Sequence, residues 1–291
     1  MSTSVQPSGQ SFTRTRFVRT AAGIASAGVM AGFSLVGAAS ASAATDADCN
    51  DSNTVSTGVA ADIQTLLNTN PSLICIDGSY AVSGALNYGA VTLHGLPGAE
   101  LVSDGSDAIL RRIGGGATLT VENLRLTGGS NFNGGAIEGA DVNVTNSVFD
   151  NNEGFLGGAI SGYTVVVTGS TFQDNTGGLG GAIFANNSVS VTGSTFVGNY
   201  ANYEGGAIRS YGVMDVDSST FSENSAGSDG GALYPGDSLS VQNSTFVGNT
   251  SGRGGAIFAY LGTVWQSTFL DNLGDEGEGN SIFKYGTEQF D

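Results

Sequence analysis

A glycine pair followed by alanine and an aliphatic residue returns at Gly134, Gly157, Gly180, Gly205, Gly230 and Gly254, at steps of 23, 23, 25, 25 and 24 residues. Phenylalanine keeps the same beat at Phe149, Phe172, Phe196, Phe221, Phe246 and Phe269. Three residues after each comes an asparagine: Asn152, Asn175, Asn199, Asn224, Asn249 and Asn272. A worn further copy starts at Gly279. A period of this length is the mark of a stacked repeat architecture. Within one copy there is no helical spacing. Apolar and polar residues alternate instead, as in Val189-Ser190-Val191, and Gly-Ser, Gly-Asn and Gly-Gly break the runs.

At about 3.3 Å per residue, 24 residues trace about 80 Å, which suits one turn of a wide coil with three short sides. Stacking such turns gives every strand parallel partners above and below. We therefore expect an all-β parallel β-helix of about nine turns. In a solenoid the same position of each turn lands on itself. The six phenylalanines then form an inner aromatic column, and the six asparagines form an amide ladder at one bend. The glycine pairs mark a corner where a side chain would clash or φ must be positive. The 47 glycines sit with only 4 prolines, which argues against collagen and against a Pro/Gly-rich disordered chain.

The ends read differently. Residues 1–43 have a basic start (Arg14, Arg16, Arg19), an apolar small-residue run and Ala41-Ser42-Ala43, the pattern of a cleaved signal peptide. Residues 44–72 read as an N-terminal cap. There Val59, Ile63, Leu66 and Leu67 have helical spacing and Pro71 follows, so a short amphipathic helix covers the first turn. The coil is expected over 73–291 as one domain, with its regular repeats at 134–283. Cys49 and Cys75 are the only cysteines. In an exported chain they read as one disulfide tying the cap to the first strand, worth about 3 kcal/mol in the loop-entropy model. Removal of residues 1–43 leaves six basic residues against 26 acidic ones, a net charge of −20. That surface repels phosphate backbones, so nucleic acid is excluded as a partner, and no membrane span is expected in the mature chain.

The pairing of Gly-Gly-Ala-Ile/Leu with Phe-x-x-Asn over residues 134–272 resembles the repeats of the chlamydial polymorphic membrane proteins and related bacterial surface proteins. The resemblance implies a right-handed β-helix passenger, exposed at a cell surface and often adhesive. Proteins of that family end in a membrane β-barrel of ~10-residue alternating strands. No such run is read in the sequence up to Asp291.

Three kinds of chemistry compete with that expectation. A polysaccharide lyase or glycoside hydrolase, as found on pectate-lyase-like helices, needs paired carboxylates or a base in one groove. The mature chain has only Arg111, Arg112, Arg125, Arg209, Arg253 and Lys284 as cations, scattered along it, and the one histidine, His94, stands alone. The cluster of Arg111 and Arg112 with Asp104 and Asp107 is the least bland, yet no catalytic residue is assigned. Cofactors are not expected, although Asp150, Asp174, Glu223 and Asp271 beside the asparagines leave weak calcium binding open. Thr171, Thr195, Thr220, Thr245 and Thr268 form one threonine row of the sort seen on ice-binding faces, but its companion row, Thr168 and Thr192, fails at Asp217 and Gln242.

The pattern favoured for function is aromatic. If Ile183 points inward, the outward places hold Tyr163, Phe184, Tyr211, Tyr234, Phe258, Tyr260, Phe283 and Tyr285. We expect these to make a continuous outer stripe that binds an extracellular glycan or protein surface, since rings stack on sugars and anchor protein interfaces.

Overall fold

The structure, a computed structural model, describes residues 45–50, 53–55, 60–274 and 281–285. The expected signal peptide (1–43) and Val59 lie outside the described residues. The chain forms a parallel β-helix of about nine turns. Each regular coil has three sides. The first begins just after the glycine pair and bends midway, as in Ile160–Thr168 and Ile183–Thr192. In other coils that bend splits it into two strands, for example Ile208–Ser210 and Met214–Asp217. The second side carries the phenylalanine, as in Thr195–Val197, and the third leads back to the next glycine pair, as in Thr176–Leu179. Among the described residues, stacking gives parallel sheets of 17, nine and seven strands.

The register is like on like. Phe149 pairs with Phe172, Phe172 with Phe196, and so on to Phe269. Their rings stack nearly parallel at 4.8–4.9 Å between centroids. Burial of each ring is worth about 1.5–3 kcal/mol. Ile137, Ile160, Ile183, Ile208, Leu233 and Ile257 fill a second inner column, and paired valines such as Val189 and Val191 a third.

The asparagine ladder closes the bend after the phenylalanines. The Asn175 Nδ2 donates to Asn199 Oδ1 at 2.9 Å and to the Phe149 carbonyl at 3.0 Å. The Asn199 Oδ1 also accepts the Asn175 backbone N–H at 3.1 Å. This pattern repeats from Asn152 to Asn272. A second ladder was not anticipated. The buried serines Ser147, Ser170, Ser194, Ser219 and Ser244 each take a backbone N–H of the preceding coil on Oγ, as in Ser170 N–H to Ser194 Oγ at 3.1 Å. Each hydroxyl donates to the carbonyl two residues back, as Ser194 does to Thr192. These side-chain-to-backbone bonds hold the bend between the first and second sides.

At Gly180 φ is +68°, and a Cβ would run into the Ile183 carbonyl oxygen. One residue on, a Cβ on Gly181 would strike the Gly206 carbonyl in the next coil. The pair is thus required twice over, by conformation and by close approach between coils.

The cap follows the expected plan with additions. The helix is Ala60–Leu67, and it buries Ile63 and Leu67 against Leu73–Ile76, Ser79–Val82 and Leu86–Tyr88. Ahead of it, Thr54–Val55 already pairs in parallel with Cys75 and Ile76, so the coil starts inside the expected cap region. Cys49 and Cys75 are bonded, with Cα atoms 5.8 Å apart. His94 is buried between Glu122 (3.2 Å from Nδ1) and the exposed Asp46 (3.1 Å from Nε2). The histidine therefore joins the cap to the coil.

Three substitutions test this packing. Phe196→Ala is expected to cost about 3–5 kcal/mol and Asn199→Ala about 3 kcal/mol or more, because the latter strands several buried partners at about 1–3 kcal/mol each. Outward-facing Thr195→Ala is expected to change stability by less than about 0.5 kcal/mol. Urea unfolding followed by circular dichroism measures all three. Loss of the disulfide in Cys75→Ala is expected to destabilise the N-terminal coils by about 3 kcal/mol. Hydrogen exchange should then rise in residues 60–103 and stay unchanged beyond about residue 180.

Candidate binding surface

The stripe expected from alternation is present as a column but not as a continuous exposed strip. Cα register aligns Ser161, Phe184, Arg209 and Tyr234 on successive coils, and Phe258 with Phe283. Phe184 and Phe258 are only 1% exposed and Tyr234 6%. They nevertheless stand apart from the central core cluster. The reason is what lies over them: Arg209 covers Tyr234, Arg253 covers Phe258, and the tyrosines two places further on pack edge-on against Phe184 and Phe258. Rings that point outward are thus covered by neighbours.

What remains exposed is a ridge of tyrosines two places further on. Tyr163 is 56% exposed, Tyr211 52%, Tyr260 38% and Tyr285 61%. The ridge rests on the buried rings. Tyr211 lies edge-on to Phe184 at 5.1 Å, and Tyr260 edge-on to Phe258 at 5.6 Å. Below, Tyr234 stacks on Phe258 at 4.9 Å and Phe258 on Phe283 at 5.1 Å. Arg209 lies between, 4.8 Å from the Tyr211 centroid and 4.3 Å from that of Tyr234, with Glu204 holding its Nε at 2.7 Å. Asp229 grips Arg253 through two bonds of 2.7 Å, over Phe258. The base is therefore rigid and desolvated. Burial, reinforced by the Tyr260 hydroxyl at 3.3 Å, pushes the Tyr234 phenol well above its ordinary range, so it stays protonated.

The other candidates resolve into structure. Asp150 is not a solvated turn residue. Burial alone would raise its pKa, but the bidentate guanidinium of Arg125 (2.9 and 2.8 Å) outweighs that and holds the carboxyl below its usual range. Asp174, Glu223 and Asp271 take positive φ at the bend before the asparagine, a backbone role. Among the described residues no group of three or more His, Cys, Asp or Glu is placed to hold a metal ion. Arg111 is tied to both Asp107 and Glu138, while Arg112 bonds the Gly114 carbonyl at 2.9 Å. Asp104 bonds the Ser106 backbone N–H instead. The threonine row is aligned, and its companion passes from Thr168 and Thr192 into Asp217, Gln242 and Trp265.

Sequence reasoning missed the aromatic residues of the third side. Phe132 and Phe155 are 63% and 40% exposed and stack at 5.0 Å, and Tyr203 meets Phe155 edge-on at 6.2 Å. Each stands two places before a glycine pair, a spacing that would have found them.

These features define a parallel β-helix repeat protein with aromatic surfaces on its outside. Two segments, residues 218–234 and 243–260, match the Chlamydia polymorphic membrane protein repeat. Repeat and fold together suggest a surface protein. No helix among the described residues is long and apolar enough to cross a membrane. No curated protein and no solved structure matches the chain significantly.

The Asp150–Arg125 pair yields a signed prediction. Because the carboxyl is held low in the folded chain, its contribution is present above about pH 4, the unfolded value, and fades as pH falls through the folded value. Asp150→Asn is expected to cost about 1–2 kcal/mol at pH 7, with the gap to the parent closing below about pH 4. Urea midpoints across that range measure it.

Proposed function

We propose that the chain is a secreted, cell-surface-associated, non-catalytic binding protein, adhesin-like in action. It engages a glycan or protein surface through the tyrosine ridge. The observation that carries this reading is the construction of the ridge: exposed Tyr211 and Tyr260 stand on buried Phe184, Tyr234 and Phe258, with Arg209 clamped among them. Such tyrosines lose little freedom on binding because the rings beneath already fix them. Tyrosine is among the residues most enriched at protein hot spots, which favours a protein surface as the larger target. The repeat match supports the cell-surface setting.

The test is binding of the purified chain to an array of glycans and extracellular proteins. Tyr211→Ala with Tyr260→Ala is expected to weaken binding by about 30-fold or more while the chain stays folded by circular dichroism. Phe184→Ala is expected to lower the melting temperature as well. Unchanged binding in the tyrosine variants would reject the ridge.

A further inference from the structure

The first side of the coil bends at the tyrosine ridge, and its second half presents an acidic face. No strand in that half, from Asp141–Thr145 to Leu261–Trp265, contains lysine or arginine. Asp215 is exposed on the coil that carries Tyr211, and Asp217 lies two places further on. Both line a shallow recess of about 270 Å³, with Ser190 and Thr192 on the coil before and Ser240 and Gln242 on the coil after. Asp237 adjoins them. Its backbone N–H bonds the carbonyl of Gly212, the residue next to Tyr211.

Elsewhere in the chain Asp107, Glu138, Asp150, Glu204 and Asp229 each hold an arginine. The three carboxylates of this face do not. Asp217 accepts only from neutral donors, Asn243 Nδ2 and Ser218 Oγ, each at 3.0 Å. Among the described residues the side chains of Asp215 and Asp237 have no partner. Lys284 stands at the far end of the ridge, three coils from Tyr211. The negative charge beside Tyr211 is therefore uncompensated, and next to it Tyr211 and Val213 offer apolar surface, 52% and 38% exposed. An anionic partner would be repelled here, and a neutral one would bury carboxylates without a counter-charge. A lysine or arginine side chain fits both parts, because its methylene stem lies along apolar surface while its head reaches a carboxylate. The chain's own arginines use this arrangement. Arg253 lies over Phe258 while Asp229 grips its guanidinium, and Arg209 stands against Tyr211 and Tyr234 while Glu204 holds its Nε. We propose, resting on the ridge as the contact surface, that its partner is a basic polypeptide segment. Stems of that segment lie on Tyr211 and Val213, and its ammonium or guanidinium groups sit at Asp215, Asp217 and Asp237.

The experiment is calorimetry on the full chain, at low and at physiological salt, with short Gly/Ser peptides that carry arginine and lysine, glutamate, or no charge. Only the basic peptide is expected to bind, and more weakly as salt rises. Asp215→Asn with Asp217→Asn and Asp237→Asn should weaken it about tenfold or more, and Tyr211→Ala about tenfold. A control that removes the same charge elsewhere, Asp77→Asn with Glu153→Gln and Asp174→Asn, should bind like the parent. Circular dichroism establishes that each variant is folded. The assignment is overturned if the basic peptide does not bind, or if a neutral or acidic one binds as well. In that case the ridge itself still stands when Tyr211→Ala with Tyr260→Ala weakens capture of a partner on the array. Equal losses in the control and in the variant of this face would mean attraction by bulk charge and would also overturn it. Loss in the variant of this face with Tyr211→Ala unchanged would reject the ridge, and the joint site with it.

Discussion

A buried primary amide has two donors and two acceptor positions, and leaving any of them empty in the interior costs about 1–3 kcal/mol. Along the line from Asn152 to Asn272 each amide meets this demand only through the coil before and the coil after it. A coil that slipped by one residue would put a neighbour such as Gly198, Glu223 or Ser225 opposite an amide and break the ladder's bonds to both adjoining coils. The ladder is therefore a register lock. The phenylalanine stack supplies burial, and the ladder specifies which residue sits on which.

That division explains the distribution of variation in the chain. Inside, Ile/Leu, Val, Phe, Asn and Ser recur almost unchanged because each must match its own copy. Outside, the same register places unlike residues in one column: Glu138, Ser161, Phe184, Arg209, Tyr234 and Phe258 share a single outward position. The interior is bound to its period, and the exterior is free to carry recognition. Both aromatic surfaces lie beside the glycine corner, one just after the pair and one just before it. The rings just after the pair are covered by neighbouring arginines and tyrosines, whereas those just before it stay exposed.

Much of this was legible in the residues. The Phe and Asn beats name the inner column and the ladder, since a period of 23–25 residues with alternation has few other physical solutions. The cap helix and the disulfide follow from local spacing and cysteine number. Burial of Phe184, Tyr234 and Phe258 was not legible, because alternation reports direction and not what covers a side chain. The serine ladder was hidden for a different reason: serine suits exposed strands as readily as a bend. His94 looked solitary because its partners, Asp46 and Glu122, are 48 and 28 residues away.

The central claim is that equivalent residues lie directly above one another at a fixed rise. Dipolar EPR measures this most directly. The only native cysteines are joined to each other, so nitroxide labels can be placed selectively at Thr171 paired in turn with Thr220, Thr245 and Thr268. These positions are two, three and four coils apart on one face. At ~4.8 Å per coil the account predicts separations that grow linearly, near about 10, 14 and 19 Å once the label arms are allowed for. Distances that fail to grow with coil number, or that alternate as antiparallel hairpins would require, would contradict it.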